Sequence, residues 1–440
     1  MLLNKSIPKS ILNGRVIRSL SSTANRGMAT QYLNIPVLPA DIAFGLMADF
    51  QADTHPDKVS LIAGAYRDEK GNPWVLPSVK EAKQRIALDP SWSHEYLGIA
   101  GSKTLTTVAK TLIFGTDLAE KANIASIQAV SGTSANHLGA LFLAKHLKPK
   151  RVFIPDPTWV NHHTIWTEAA QDIEQLTYPY SYVPGSRSVD VDRIIAKLET
   201  EAHPNDVIVL QACAHNPTGI DLSQEEWVKI ADVVQRKRLF VLFDSAYQGF
   251  ATGDVDGDAW SVRYFTKRFF DSTSEHIPGL CVAQSFSKNF GLYGERVGAL
   301  HLVVPGGVST DGAQSQLSLM ARAEYSNPPR FGAQIVEMVL GCPELKAQWN
   351  EDLVTMSSRI KKMRTELRRK LDELGARGDW SHIEAQIGMF SYTGLRKDQV
   401  QRLQDDYHIY MLPSGRVSIC GLNEGNIDYV AKGIVEVVNS

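Results

Sequence analysis

From about residue 125 to 305, short apolar runs alternate with longer polar, amphipathic stretches, the rhythm of strands and helices in an α/β sheet. The runs Ile124 to Val130, Arg151 to Ile154, Val207 to Cys213, Leu239 to Phe243, Leu280 to Ala283 and Ala299 to Val304 predict its strands. After about residue 310 the pattern changes to long, highly charged helical stretches such as Ser357 to Leu374, then to a mixed segment ending near Gly421. That change predicts a second lobe, joined by the N-terminal segment from about Asp41 to Trp74. The expected organisation is a large domain over 75–355, a mostly parallel mixed sheet flanked by helices, and a smaller α/β domain made by both chain ends, 29–74 and 356–440. A length of 440 residues agrees, because one hydrophobic core rarely extends so far.

In such sheets ligands gather beyond the carboxyl ends of the strands. The residues there are Ser131-Gly132-Thr133-Ser134, Pro157-Thr158-Trp159, His215-Asn216-Pro217-Thr218-Gly219, Asp244-Ser245-Ala246-Tyr247 and the run from Ser285 to Arg296. The last contains Lys288 between serines, with Arg296 eight residues on. Hydroxyls and a guanidinium beside an amine suit an anion held next to a nucleophile. Pyridoxal phosphate needs that pair, an amine for a Schiff base and an anchor for the phosphate. Taken alone, the run also suits a solvated surface lysine.

Ser131-Gly132-Thr133 lies between a strand and a helix expected to begin near Ala135, where backbone amides and the positive helix end meet an anion; an ordinary helix cap reads the same way. Asp244 closes an apolar strand, and its carboxylate would find a partner in a protonated pyridine nitrogen, or in the amides of the loop that follows. Asn216 and Tyr247 are placed to donate to a ring oxygen, although Asn before a proline turn is also common in loops. Trp159 offers a face for a pyridine ring, with His162 spaced to support it, and equally reads as a core tryptophan. Arg416 and Arg322 would each make a bidentate clamp on a carboxylate, one for an α-carboxylate and one selecting an acidic side chain.

Composition narrows the classes. The formal net charge is -2, with both signs mixed along the chain, so nothing favours nucleic acid or an anionic membrane surface. Cys213, Cys281, Cys342 and Cys420 lie far apart, without metal-ligand spacing or a disulfide pattern, and a reduced compartment with no metal site is expected. No apolar stretch approaches the roughly 20 residues that cross a bilayer. GxGxxG after a first strand and GxxxxGK[ST] are both absent, which removes the best support for dinucleotides or nucleoside triphosphates. The first 28 residues carry Lys5, Lys9, Arg15, Arg18 and Arg26 with many serines, and no acidic residue precedes Asp41. That composition predicts a mitochondrial transit peptide and location in the matrix. Pro8 and Gly14 interrupt it, so the alternative is a disordered basic tail on a cytoplasmic protein, with Met28 as a second start.

Across residues 33 to 438 the motifs Gly64-Ala65-Tyr66-Arg67, His94-Glu95-Tyr96-Leu97-Gly98, those of the strand ends, Ser326-Asn327-Pro328-Pro329 and Ser414-Gly415-Arg416 occur in order. In them the chain resembles the aspartate aminotransferases, fold-type I pyridoxal 5'-phosphate enzymes of the class I aminotransferase family. The resemblance implies an internal aldimine on Lys288, Asp244 on the ring nitrogen, and Asn216 and Tyr247 on the ring oxygen. It places Ser131, Gly132, Thr133, Ser285 and Arg296 around the phosphate and Trp159 against the ring. Arg416 would hold the substrate α-carboxylate, assisted by Gly64 and Asn216. Tyr96 and Arg322 would come from the neighbouring subunit of a homodimer with shared sites. The implied reaction is L-aspartate plus 2-oxoglutarate to oxaloacetate plus L-glutamate by a ping-pong route, and residues 75–355 would be the cofactor domain. The alternatives are an aminotransferase of the same fold acting on aromatic or sulfur amino acids, and a non-catalytic binding protein. Two positions depart from the family pattern, Ala63 and Gln211, the latter where histidine is usual. The run Ser285 to Gly291 is similar to cytosolic forms and stands against the import-like extension.

Overall fold

The computed structural model describes residues 35–39, 41–180, 189–270 and 277–440. The extension over 1–28 lies outside the described residues. Ile42–Ser440 form one compact unit and Met1–Asp41 another; of the latter, residues 35–39 and 41 are described, and all are exposed.

The larger unit is built on a seven-stranded sheet. Its strands are β1 (Ile124–Val130), β2 (Arg151–Asp156), β3 (Glu174–Pro179), β4 (Val207–Gln211), β5 (Phe240–Ser245), β6 (Leu280–Ser285) and β7 (Val297–Val303). Their spatial order is β1-β7-β6-β5-β4-β2-β3. β7 runs antiparallel to both neighbours, β1 and β6, and every other pair is parallel. This is the mostly parallel mixed sheet that the alternation of runs predicts.

Every residue of β4 to β7 is buried. Adjacent side chains point to opposite faces, and each face has its own core: Val209 packs in the cluster containing Leu138 and Leu317, while Leu210 packs in the cluster containing Ile230 and Phe265. Helices on both faces therefore leave no polar side, and the strands read as continuous apolar runs. β3 escapes that rule. It is an edge strand in which only Tyr178 is buried, so its sequence Glu-Gln-Leu-Thr-Tyr-Pro gives no apolar run.

Strand ends also differ from the apolar pattern. β4 stops at Gln211 instead of Cys213, and β5 continues through Asp244 and Ser245. The ladder decides this: Asp244 pairs with Gln211 on one side and Ala283 on the other. The helix after β1 begins at Ser131 rather than near Ala135.

A third core joins both chain ends. Trp349, Leu353, Met356, Ile360, Met363 and Leu367 form the apolar stripe of the long helix Pro343–Glu373, packed in one cluster with Val430 and Ile434 of the last helix, Ile427–Asn439. Val59–Ser60 pairs in parallel with Ile409–Tyr410, and Phe390–Tyr392 pairs antiparallel with Arg416–Ser418. The helix Pro77–Leu88 begins with proline at its first position but has no side-chain cap of its own. Asp352 of the long helix supplies one, accepting from the Ser78 backbone N–H at 3.0 Å and the Ser78 hydroxyl at 2.6 Å. Among the described residues no helix is long and apolar enough to cross a membrane.

Candidate active site

The carboxyl ends of β1, β2, β4, β5 and β6 deliver their loops to one place. Ser131, Gly132, Thr133, Trp159, Asn216, Asp244, Tyr247, Ser285, Lys288 and Arg296, with Gly64, line a cavity of about 180 Å³. Gln211, Ala246, Ser287 and Tyr293 complete its wall. Larger clefts of about 630, 420 and 390 Å³ lie elsewhere; the first two bring no lysine together with an aspartate, and in the third Lys362 is exposed and already paired with Glu424.

One end of the cavity is an anion cradle. Ser131 opens the helix Ser131–Phe142 with a φ of 65°, a left-handed conformation that a non-glycine residue adopts at local cost. Its Oγ lies 3.1 Å from Ser285 Oγ and 2.9 Å from Ser287 Oγ. Arg296 Nη1 donates to Ser287 Oγ at 3.3 Å and to the Tyr293 carbonyl at 2.9 Å. A Cβ on Gly132 would stand 3.0 Å from Ser285 Cβ, so the glycine lets the helix end and the lysine run approach. Burial holds the Arg296 pKa below its ordinary value, and no carboxylate ion pair offsets that burial among the described residues. Hydroxyls, a guanidinium and a helix N-terminus without an anion of their own fit a phosphate monoester.

The middle of the cavity holds the lysine and the aspartate. Lys288 is half-buried, with Nζ 5.1 Å from the centre of the Tyr247 ring. Burial lowers its pKa, Asp244 opposes that shift and Arg296 adds to it. Asp244 is buried and its Oδ2 lies 3.1 Å from His162 Nε2, while His162 Nδ1 lies 2.8 Å from Thr158 Oγ1. The His162 ring also meets Trp159 edge to face, with centroids 5.2 Å apart. His162 thus supports Trp159, as its spacing suggested, and in addition orients Asp244. Burial, with Asp244 second, raises the Tyr247 phenol well above its ordinary pKa against the opposing effect of Arg416, which keeps it a hydrogen-bond donor. Gln211 clamps Asn216 from both sides, its Oε1 accepting the backbone N–H at 2.8 Å and its Nε2 donating to the carbonyl at 3.0 Å.

Arg416 is half-buried at the end of the small two-stranded pairing. Its Nη2 donates to the Ile62 carbonyl at 2.9 Å, and its guanidinium lies 4.2 Å from the centre of the Phe390 ring. A Cβ on Gly64 would approach Phe390 Cζ to 3.1 Å.

Tyr96 and Arg322 are not brought to this cavity. Tyr96 is 82% exposed, and Arg322 is exposed with Nη1 bonded to Ser326 Oγ. Their segments nevertheless form one surface. Asn327 Nδ2 donates to the Leu97 carbonyl at 2.6 Å, and Gln128 on β1 accepts from the Ser102 amide at 2.9 Å and donates to the Pro329 carbonyl at 2.8 Å. Ser287 and Tyr293, absent from the sequence-derived set, lie within the lysine run and were accessible to that reading. The contact of His162 with Asp244 spans 82 residues and has no local signal.

The family profile for aminotransferase class I and II matches residues 56–434. The cytoplasmic aspartate aminotransferase of Saccharomyces cerevisiae is 46% identical over 416 residues, covering 93% of this chain and 97% of its own. The L-tyrosine:2-oxoglutarate aminotransferase ucdG of Aspergillus ustus is 48% identical over 406 residues, covering 90% of this chain and 76% of its own. The solved structure of the S. cerevisiae cytoplasmic aspartate aminotransferase superposes with a TM-score of 0.89 at 45% identity, covering 93% of this chain and 99% of that one. An aromatic-amino-acid aminotransferase of Burkholderia pseudomallei, solved covalently bound to pyridoxal phosphate, gives 0.86 at 37% identity, over 92% of this chain and 99% of its own.

The expected location in the mitochondrial matrix is overturned. Besides the yeast protein, aspartate aminotransferases 41% to 44% identical over at least 92% of this chain, from Caenorhabditis elegans, Gallus gallus and Schizosaccharomyces pombe, are cytoplasmic forms. A basic, serine-rich composition over the first 28 residues is shared by import signals and plain polar tails, so it does not outweigh a match that runs through the folded chain. The match covers the cavity and the sheet that builds it, and this chain belongs to the class I and II aminotransferases, enzymes that depend on pyridoxal phosphate.

Proposed function

We propose that the chain transfers the amino group between L-aspartate and 2-oxoglutarate, giving oxaloacetate and L-glutamate, in the cytoplasm and as a homodimer. The convergence of Lys288, Asp244 and the Ser131–Ser285–Ser287–Arg296 cradle in one cavity carries this reading. When bound, pyridoxal phosphate supplies a carbonyl carbon for the amino group and a protonated ring that accepts the electron pair left at the substrate α-carbon. Ser131, Gly132, Thr133, Ser285 and Arg296 would bind its phosphate. Asp244, oriented by His162, would hold the proton on the ring nitrogen, and Tyr247 and Asn216, the latter clamped by Gln211, would donate to the ring oxygen. Trp159, supported edge to face by His162, would cover the ring.

Lys288 Nζ, once released as a free amine, would take the substrate α-proton and deliver it, within the same half-reaction, to the cofactor carbon that bears the amino nitrogen; the second half-reaction runs the transfer in reverse. Its lowered pKa favours the neutral form that such a base requires. Arg416, which is not itself in the cavity wall but lies over the same Phe390 ring that Gly64 approaches, orients the substrate by its α-carboxylate, assisted by Gly64 and Asn216 from the wall. Arg322 and Tyr96 serve the cavity of a second copy, which accounts for their exposed, cross-tied surface in one chain. We further propose that 75–355 form a cofactor-binding lobe and that 356–440, with the described part of 29–74, form a smaller one.

A Lys288→Ala variant should lose turnover while still taking up the cofactor, visible as altered absorbance on reconstitution. Parent-like activity in that variant would sink the assignment. The second reading, an enzyme for aromatic amino acids, is favoured by the A. ustus relative that is named for L-tyrosine.

A further inference from the structure

The long helix Pro343–Glu373 carries a buried cation that the reaction does not use. Arg364 is 2% exposed. Its Nη1 donates to the Ile383 carbonyl at 3.0 Å, and its Nη2 donates to the carbonyls of Gly388 at 2.8 Å and Phe390 at 2.5 Å. No carboxylate bonds to it among the described residues, and burial pulls its pKa down to about 9. An unpaired buried charge is among the costlier features a core can hold. A neutral apolar residue would fill this place without that cost unless the three carbonyls had to be gathered.

The segment they belong to packs against the loop that carries Asn216. Gly388 has a φ of 73°, and a Cβ there would come within 2.5 Å of Ala214 Cβ. The Ile387 amide donates to the Gly219 carbonyl at 2.7 Å. The segment ends at Phe390, which starts the strand paired with Arg416–Ser418. Its ring is the face beneath the Arg416 guanidinium and the wall beside Gly64. Arg416 donates to the Ile62 carbonyl, and its guanidinium lies over that aromatic face.

We infer that Arg364 is a positioning residue for substrate binding: by tying three carbonyls it sets the Phe390 ring, which holds the Arg416 guanidinium in the orientation that meets the α-carboxylate. The inference rests on the proposed role of Arg416. Nothing in it concerns the proton transfer at Lys288, so binding should change and chemistry should not.

The holoenzyme variants Phe390→Leu, Phe390→Tyr, Arg364→Lys and Arg416→Lys test this through KM and kcat for aspartate and through calorimetric binding of succinate, an unreactive dicarboxylate. Phe390→Leu should raise KM and the succinate Kd about tenfold, with kcat within about twofold. Phe390→Tyr keeps the aromatic face and should restore both. Arg364→Lys, whose single ammonium lacks the planar fork that spans three carbonyls, should raise the same two quantities. Parent-like KM and Kd in Arg364→Lys would overturn the inference; should that variant fail to fold, Arg364→Gln, which keeps two amide donors, is measured in its place with the same two outcomes. Parent-like KM and Kd in Phe390→Leu, or an equal fall in kcat and kcat/KM at unchanged Kd, would overturn the inference. If Arg416→Lys binds succinate like the parent, the carboxylate role of Arg416 falls first; if it weakens binding while Phe390→Leu does not, only the positioning role falls.

Discussion

At the scale of single residues, the chemistry was visible where the chain places its reactive groups just beyond apolar runs. Lys288, Asp244, Asn216 and the Ser131 cluster needed only the rule that ligands lie past strand ends. Their supports were not visible, because Gln211 reaches Asn216 and His162 reaches Asp244 through side-chain contacts. On the proposed function, substrate choice rests on Arg322. Replacing it by leucine removes the cation that would pair with an acidic side chain and leaves a surface suited to an apolar one. Arg322→Leu should therefore cut kcat/KM for aspartate by on the order of 10²–10³, about 3–4 kcal/mol, while changing that for phenylalanine by less than about tenfold. Equal losses for both substrates would favour the aromatic reading.

At the scale of elements, the loop after β5 shows how burial alone creates a pH dependence. Asp258, 4% exposed, accepts from the Gly249 amide at 2.7 Å and the Thr252 hydroxyl at 2.8 Å, and burial raises its pKa to about 7. In the unfolded chain it titrates near the usual 3.8. Between those values the folded state keeps a proton that the unfolded state has released, so this contribution is complete below about pH 4 and is lost as pH rises to about 7. Asp221, raised to about 6 by burial, adds a slope of the same sign. Asp258→Asn should flatten the decline and leave the protein more stable than the parent above pH 7, by on the order of 2–4 kcal/mol. Urea unfolding at pH 4.5 and pH 8 measures this, and identical pH slopes for the two proteins would contradict it. The loop's burial, not its sequence, sets the effect. The edge strand β3 shows the converse: a polar sequence became a strand because β2 offered it a ladder.

At the scale of the whole molecule, the proposed homodimer would bring the exposed surface joining Tyr96 to Arg322 to the cavity of a second copy. If each cavity takes Arg322 from the other chain, Lys288→Ala and Arg322→Leu variants, each nearly inactive on aspartate, should complement when unfolded together and refolded. Half of the random dimers would be mixed, and each mixed dimer would hold one cavity free of both substitutions, giving about a quarter of the parent activity. Activity no higher than the sum of the separate variants would refute the sharing.

The α/β class, the succession of the buried strands along the chain and the main chemical groups were legible in the chain alone, because local apolar runs and the residues that end them are written consecutively. Tertiary structure alone decided that Asp352 caps a helix 274 residues away, that Arg364 gathers the carbonyls behind Phe390, that β3 is a strand, and that Tyr96 and Arg322 face outward. Each of these depends on which distant segments are brought within hydrogen-bond reach. That proximity arises from packing three cores around one sheet, and no local pattern in the chain encodes it.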